Sequence, residues 1–281
     1  MNLPSPVVVR EEGSGHHFSL AHPDPVLGKE RAPIVFIHGA GGAAWHWDSL
    51  LPHFAACGYP CYAPDLVGHG VSRESIRTAG IYDYALDVEH FLTNVVLPRH
   101  SAPVVVGHSM GGLIAQKIAE SVATAGVVLV TPAPPHGISY RPGGVLLPAP
   151  EDILSLFCVF IMGQSIPLSR KFIESIFVDP IASAAVIDTF VAKQFVESPI
   201  ALKEMLLGEV TVRPEMITCP IFVVGAGKDR VIHPEIAHEV AEYYDAPLAT
   251  LHHLGHACIM EAGCEATAGV ILGWLSSSVC T

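Results

Sequence analysis

The sequence predicts an α/β protein with a mostly parallel, doubly wound sheet, helices on both faces and an inserted helical cap. Short β-branched runs alternate with longer helical patterns, and the middle runs are apolar at consecutive positions. Consecutive apolar residues suit strands covered on both faces, and strand–helix alternation implies parallel pairing. The six strand candidates are residues 34–37, 61–66, 104–106, 127–130, 221–224 and 250–254.

Helical patterns lie between these runs and complete the alternation. We expect the residues before the first run, 1–32, to supply one or two leading antiparallel strands. The helical candidates are residues 45–56, 82–97, 110–122, 234–244 and 261–275.

One stretch, from about residue 133 to 214, interrupts the alternation. A loop rich in Pro and Gly, residues 132–150, precedes apolar helical segments at 153–162, 172–177 and 181–196. An insertion between two strands favours a helical cap over the carboxyl edge of the sheet, and additional core helix is the alternative. The predicted units are therefore a core of residues 1–132 and 215–281 and a cap of residues 133–214.

Composition excludes several classes of protein. The chain has 281 residues, 50% hydrophobic and 15% charged, which suits one large globular domain and not a disordered segment. The formal net charge is -12, so the surface repels phosphate backbones and argues against a nucleic-acid partner.

Cysteine usage and hydropathy predict a cytoplasmic protein. The seven cysteines are odd in number and form no C-x-x-C pair, which favours reduced, buried thiols, with a Cys57–Cys61 bridge as the alternative. The first twenty residues hold no apolar h-region, and the longest apolar stretch, near 153–162, is too short for a membrane span.

The strongest motif is Gly107-His108-Ser109-Met110-Gly111, followed by a further glycine. It stands directly after a predicted strand and directly before a predicted helix, which is the context that G-x-S-x-G requires. So sharp a turn forces strained backbone at Ser109 and lifts its hydroxyl clear of the sheet, while side chains at the flanking glycines would collide. We interpret Ser109 as a nucleophile.

A serine hydroxyl needs a base, and His256 is the best of the sixteen histidines. It follows the last predicted strand, which places it at the same sheet edge as Ser109. His252 and His253 are expected within that strand. A metal cluster of these three histidines is the alternative, although no carboxylate completes it at recognisable spacing.

The base in turn needs a carboxylate, and Asp229 follows the strand at 221–224. A helix N-cap or turn aspartate is the alternative interpretation. Asp65 also ends a strand, but the loop after it has the composition of a structural turn. The order Ser109, Asp229, His256 is nucleophile, acid, base.

Backbone N–H groups must bind the negative charge that develops on a substrate oxygen. We predict one donor at Met110, directly after the nucleophile, and the other at Ala40, in the loop His38-Gly39-Ala40-Gly41-Gly42 after the first core strand. His38 itself is expected to be a structural hydrogen-bonding residue.

Together these motifs resemble the α/β-hydrolase superfamily, in its serine esterase and lipase-like branch. The resemblance rests on five segments in order, at 38–42, 65–72, 107–112, 227–229 and 255–256, which span nearly the whole chain outside the cap. It implies an acyl-enzyme intermediate with no metal or organic cofactor. Dehalogenases and epoxide hydrolases of this fold carry aspartate in place of Ser109. Hydroxynitrile lyases place lysine beside the histidine, where this chain has Ala257.

The sequence therefore predicts hydrolysis of a carboxylic ester, with a small to medium hydrophobic substrate. Lactone, thioester, amide or C–C hydrolysis are the nearest alternatives, followed by a hydroxynitrile lyase and a non-catalytic small-molecule receptor. The candidate pocket residues are Gly39, Gly41, His108, Trp45, Leu154, Phe157 and Ile161. The apolar cap residues could equally pack against the core.

Overall fold

A computed structural model describes residues 7–23, 31–71, 78–138 and 158–279, and these form one eight-stranded sheet flanked by helices. The strand order is β1-β2-β4-β3-β5-β6-β7-β8. The strands are β1 Val8–Gly13, β2 His16–Ala21, β3 Ile34–Ile37, β4 Cys61–Pro64, β5 Val104–His108, β6 Gly126–Val130, β7 Ile221–Ala226 and β8 Leu248–Leu251.

The sheet is mostly parallel, as the sequence predicts. Only the β1–β2 and β2–β4 pairs are antiparallel, so residues 1–32 supply two leading strands within their described part. The predicted fold class is confirmed, including the parallel pairing from β4 through β8.

Two strands, β4 and β8, end before the residue at which the sequence predicts their ends. Strand β4 stops at Pro64, which has no N–H to extend a ladder. Strand β8 lies earlier than predicted, because its four residues pair with Val223 through Ala226. The placement of His252 and His253 within a strand was therefore wrong: both are exposed in the turn after β8.

The helices alternate with the strands. The predicted helix at 45–56 divides into a 3-10 turn, Ala44–Trp47, and α1, and the predicted helix at 82–97 becomes α2 followed by a π-helical turn, Leu92–Val96. The helices are α1 Leu51–Ala55, α2 Ile81–Phe91, α3 Met110–Ile118, α4 Arg170–Ser175, α5 Ala184–Lys193, α6 Pro199–Leu207, α7 Pro234–Tyr243 and α8 Cys264–Ser278.

Helix α6 has no counterpart in the sequence prediction, although its signals are present. Ser198 caps its N-terminus by accepting N–H groups from the first turn, and Pro199 occupies the first helical position. Gly208 ends it in the left-handed conformation, with φ 68°. Helices α4 to α6 all lie between β6 and β7, where the sequence predicts helical segments.

Strand side chains alternate between two hydrophobic cores, one on each face of the sheet. Val35 and Ile37 point into the core that α2, α3 and α7 cover, whereas Ile34 and Phe36 point into the core that α1 and α8 cover. Because each central strand is buried on both faces, its residues are apolar at consecutive positions.

In the described part of the chain, no helix has the length and apolar character needed to cross a bilayer. Cys57 and Cys61 are both free thiols, so the alternative of a bridge between them was wrong.

The turn from β5 into α3 requires residues without side chains. A Cβ on Gly107 would overlap the carbonyl of Gly111, and one on Gly111 would overlap the carbonyl oxygens of Ile37 and His38. All of these are backbone atoms, which cannot move aside as a flexible side chain could. The close approach of α3 to the end of β3 therefore depends on glycine.

We predict that Gly111→Ala lowers the free energy of unfolding by about 1–3 kcal/mol or more, because overpacking displaces backbone. Gly269→Ala is the matched control, because a Cβ there meets nothing within 4 Å and α8 continues through it. The control should stabilise the protein by about 0.5–1 kcal/mol. Urea unfolding measures both, and equal effects would contradict the steric argument.

Candidate active site

Ser109 stands at the sharpest point of the turn between β5 and α3. Its backbone has φ 55° and ψ -120°, a strained conformation for a residue with a side chain. Two backbone hydrogen bonds help to fix it: the Ser109 N–H donates to Val130, and its carbonyl accepts from Ala133. The predicted strained turn is thus present, and the hydroxyl lies at the carboxyl edge of the sheet.

His256 and Asp229 lie at the same edge and form a chain of hydrogen bonds with Ser109. The His256 Nε2 lies 3.0 Å from the Ser109 Oγ, and its Nδ1 lies 2.8 Å from Asp229 Oδ2. The three residues come from the loops after β5, β7 and β8 and are 4–8% exposed. In the tautomer that satisfies both contacts, Nδ1–H donates to the carboxylate and Nε2 accepts from the hydroxyl.

The Asp229 carboxylate is fixed from its other side. Its Oδ1 accepts the N–H groups of Val231 at 2.8 Å and Ile232 at 2.9 Å. An aspartate in a turn accepts such bonds, which is the alternative interpretation given above. Here they occupy only Oδ1 and leave Oδ2 for His256. The turn therefore orients the carboxylate toward the imidazole.

His108 fixes the backbone of the histidine loop. Its Nε2–H donates to the His256 carbonyl at 2.8 Å. Burial, together with the nearby His256 ring, lowers the pKa of His108 to about 3. A neutral ring suits this contact, because it puts no positive charge beside the imidazole of His256.

The two residues predicted to supply N–H donors, Met110 and Ala40, both lie near Ser109. Met110 begins α3, so its N–H has no carbonyl partner within the helix. Ala40 lines the same cavity as Ser109. His38 has the structural role expected: its Nδ1–H donates to Gly39 at 2.9 Å and its Nε2 accepts the Leu66 N–H at 3.2 Å. Burial lowers the pKa of His38 to about 3, and the ring stays neutral.

An apolar cavity of about 150 Å³ opens onto the Ser109 hydroxyl. Most of its walls come from the segment between β6 and β7, with His46, Val231 and Met260 from the core. Burial and the neighbouring His38 ring hold the pKa of His46 well below its ordinary value, so this wall carries no charge. Residues from the β6–β7 segment include Ile138, Leu168, Phe172, Ile176, Phe190 and Leu206.

The structure places only some of the predicted pocket residues in the cavity lining. His108 lines the cavity. Gly39 lies outside the lining and contacts Ser109, and Trp45 lies outside it and packs edge-on against Phe190. The prediction for Ile161 was wrong, because its side chain is 67% exposed.

Gly41 likewise lies outside the cavity lining, where it contacts the segment between α5 and α6. Leu154 and Phe157 lie outside the described residues.

Two buried glutamates near the site were not identified from the sequence. Glu261 accepts the N–H of Gly255, beside His256, at 2.6 Å and that of Val178 at 2.9 Å. Glu197 accepts the Gly41 N–H at 3.0 Å. Each carboxylate thus ties the β6–β7 segment to a loop that borders Ser109 or His256. Nothing in the local sequence separates these glutamates from solvated ones.

In the described ranges, no three His, Cys, Asp or Glu side chains are grouped so that they could hold a metal ion.

Comparison with known proteins places these motifs in a family. The profile of the alpha/beta hydrolase family matches residues 34–270. The magnesium-chelatase 30 kDa subunit of Rhodobacter capsulatus is 26% identical over 86% of each chain. The pFDCC methylesterase MES16 of Arabidopsis thaliana is 36% identical over 82 residues, or 28% of this chain and 30% of that protein. The chain thus matches less than a third of the plant relative's length.

Solved structures resemble this fold over nearly the whole chain. The esterase EaEST from Exiguobacterium antarcticum has a TM-score of 0.72 at 17% identity, covering 96% of this chain and 99% of that one. The MES16 structure has a TM-score of 0.69 at 18% identity, covering 88% and 99%. The shared fold and the profile match over residues 34–270 show that this chain belongs to the alpha/beta hydrolase family.

Proposed function

We propose that this protein is a serine hydrolase of carboxylic esters that works through an acyl-enzyme intermediate. The observation that carries the proposal is the unbroken chain of hydrogen bonds from Ser109 through His256 to Asp229. The serine at its start has strained backbone and lines an apolar cavity. The esterases of the same fold support the proposal but do not identify a substrate.

Each residue has a distinct role in the proposed reaction. The Ser109 oxygen attacks the ester carbonyl while His256 Nε2 takes its proton. Asp229 stabilises the positive imidazolium that forms. The Met110 and Ala40 N–H groups bind the oxyanion, and the alcohol leaves with the proton that His256 returns. Water then attacks the acyl-enzyme carbonyl while His256 takes its proton. The carboxylic acid is released as His256 returns a proton to Ser109.

We further propose that the segment between β6 and β7 is a cap that shapes the acyl site. It supplies most of the cavity walls, and those walls are apolar. A cavity of about 150 Å³ fits a small to medium hydrophobic group better than a long chain. Burying such a group supplies binding energy without a charged partner.

A second candidate is a non-hydrolytic subunit that binds a small molecule. It is considered because the relative that is 26% identical over 86% of each chain is named as a subunit of a magnesium chelatase and not as a hydrolase. The hydrogen-bonded Ser109, His256 and Asp229 favour hydrolysis, because a binding protein has no need of an activated serine. Tight ligand binding without turnover would support the second candidate.

Ser109→Ala is expected to lower kcat for a short aryl ester by roughly 10⁴–10⁶-fold, because no other group can form the acyl-enzyme. Asp229→Asn should lower it by about 10⁴-fold, because the asparagine amide favours the wrong imidazole tautomer. Stopped-flow release of the aryl alcohol and mass spectrometry of the acylated protein measure these effects.

The control for both variants is Ser276→Ala on the exposed side of α8, which should match wild type. Turnover that persists in Ser109→Ala, with no acyl adduct on wild type, would contradict the proposed mechanism.

Acyl-chain preference tests the cavity. For aryl esters of increasing acyl length, kcat/KM should rise by up to about fourfold per methylene until the cavity is filled, and then fall. Leu206→Ala should move the optimum to longer chains, because Leu206 lines the cavity. Leu86→Ala, at a side chain 65% exposed on α2, is the control. An unchanged optimum in Leu206→Ala would show that the acyl group binds elsewhere.

A further inference from the structure

We propose that Glu197 is a positioning residue for the proposed esterase: its carboxylate holds the loop after β3 so that the Ala40 N–H faces the substrate oxyanion. The inference rests on the proposed function and adds a residue outside the cavity lining. Glu197 lies between α5 and α6, far along the chain from the loop that it contacts.

Both polar backbone groups of Gly41 form hydrogen bonds with residues that lie between α5 and α6. The Gly41 N–H donates to Glu197 Oε2 at 3.0 Å, and the Gly41 carbonyl accepts the Phe195 N–H at 2.8 Å. Gly41 has φ 70°, the left-handed region that glycine tolerates best. The two bonds therefore hold the two peptide units that flank the Gly41 Cα, and the first of these includes the Ala40 carbonyl.

The carboxylate itself is held by three further donors. Oε1 accepts the Tyr84 hydroxyl at 2.6 Å and the Ser198 N–H at 2.8 Å, while His69 Nε2 donates to Oε2 at 3.0 Å. Glu197 is 5% exposed and His69 is fully buried. With four donors on two oxygens, the carboxylate has little freedom to rotate, so Gly41 is held by a rigid group.

The pKa shifts of Glu197 and His69 are those of a hydrogen-bonded ion pair. Burial acts to raise the pKa of Glu197, but His69 and the other donors outweigh it and hold the pKa at about 2. Burial acts to lower the pKa of His69, and the Glu197 carboxylate outweighs it, so that pKa is raised. A charged acceptor forms stronger hydrogen bonds than a neutral one, which suits the Gly41 contact.

The residue on the other side of Ala40 is fixed as well. The Gly39 carbonyl accepts His38 Nδ1–H at 2.9 Å and the Gly42 N–H at 3.3 Å. A Cβ on Gly39 would lie 3.0 Å from the Cβ of Ser109, so this residue is also close to the nucleophile. Ala40 is therefore held between two bound residues, and its N–H needs no reorganisation when the oxyanion forms.

A purely structural role for Glu197 is the competing interpretation, and Glu204 provides the comparison. Glu204 lies on α6 and accepts the Ile81 N–H of α2 at 2.6 Å. It ties the same β6–β7 segment to the core but does not contact the loop after β3. If Glu197 only attached the segment, then Glu197→Gln and Glu204→Gln should have the same kinetic consequences.

The test compares these two variants with wild type on a short aryl ester and on an alkyl trifluoromethyl ketone. The Ser109 oxygen adds to the ketone carbonyl carbon, the Ser109 proton passes to His256, and the carbonyl oxygen becomes an oxyanion. In Glu197→Gln we expect kcat to fall by about 10–100-fold, because removing an oxyanion donor outright typically costs about 10²–10³-fold. The KM of the ester should stay within about twofold, because the cavity walls are unchanged.

Affinity for the trifluoromethyl ketone should fall in parallel with kcat, whereas inhibition by the alcohol of the same chain length should not change. Glu204→Gln should keep kcat and ketone affinity at the wild-type level. Tyr84→Phe, which removes one donor from the carboxylate, should give a smaller loss of the same kind, and it replaces Glu197→Gln if that variant does not fold.

Wild-type kcat and ketone affinity in a folded Glu197→Gln, or equal kinetic losses in Glu204→Gln, would overturn the positioning role alone. In that case the loss of activity in Ser109→Ala would still stand. A wild-type protein with no Ser109-dependent turnover would overturn the proposed function together with this inference.

Discussion

The architecture of the site depends on one steric constraint, the close approach of α3 to the ends of β3 and β5. Gly107 and Gly111 meet backbone atoms where any side chain would stand, so the chain can turn from strand to helix within a residue. That turn strains Ser109 and directs its hydroxyl to the carboxyl edge of the sheet. The N-terminus of α3, where the Met110 N–H has no carbonyl partner within the helix, then lies at the same point.

Buried carboxylates fix the loops around this turn. Asp229, Glu197 and Glu261 are each at most 5% exposed, and each accepts two or more hydrogen bonds. A buried charge is tolerable only with such partners, and the same partners make it a rigid support. Glu197 and Glu261 also join the β6–β7 segment to the core. The segment that forms most of the cavity walls is therefore tied by hydrogen bonds to the loops beside Ser109 and His256.

Much of this arrangement could be predicted from the sequence, because its signals are local. The glycines around Ser109, the strand before Asp229 and the loop that holds His256 each indicate their own position. Parallel pairing then brings the three together. The strand limits near His252 could not be predicted, since pairing with β7 sets them. Glu197 escaped prediction because its partners, Gly41, His69 and Tyr84, lie more than a hundred residues away along the chain.

A crystal structure of the protein after reaction with a small alkyl fluorophosphonate tests the central claim most directly. The account predicts phosphorus bonded to the Ser109 Oγ, with the phosphoryl oxygen within hydrogen-bond distance of the Met110 and Ala40 N–H groups. The alkyl group should occupy the apolar cavity, and His256 should remain against Asp229. An unmodified Ser109, or an adduct whose phosphoryl oxygen faces neither N–H group, would contradict it.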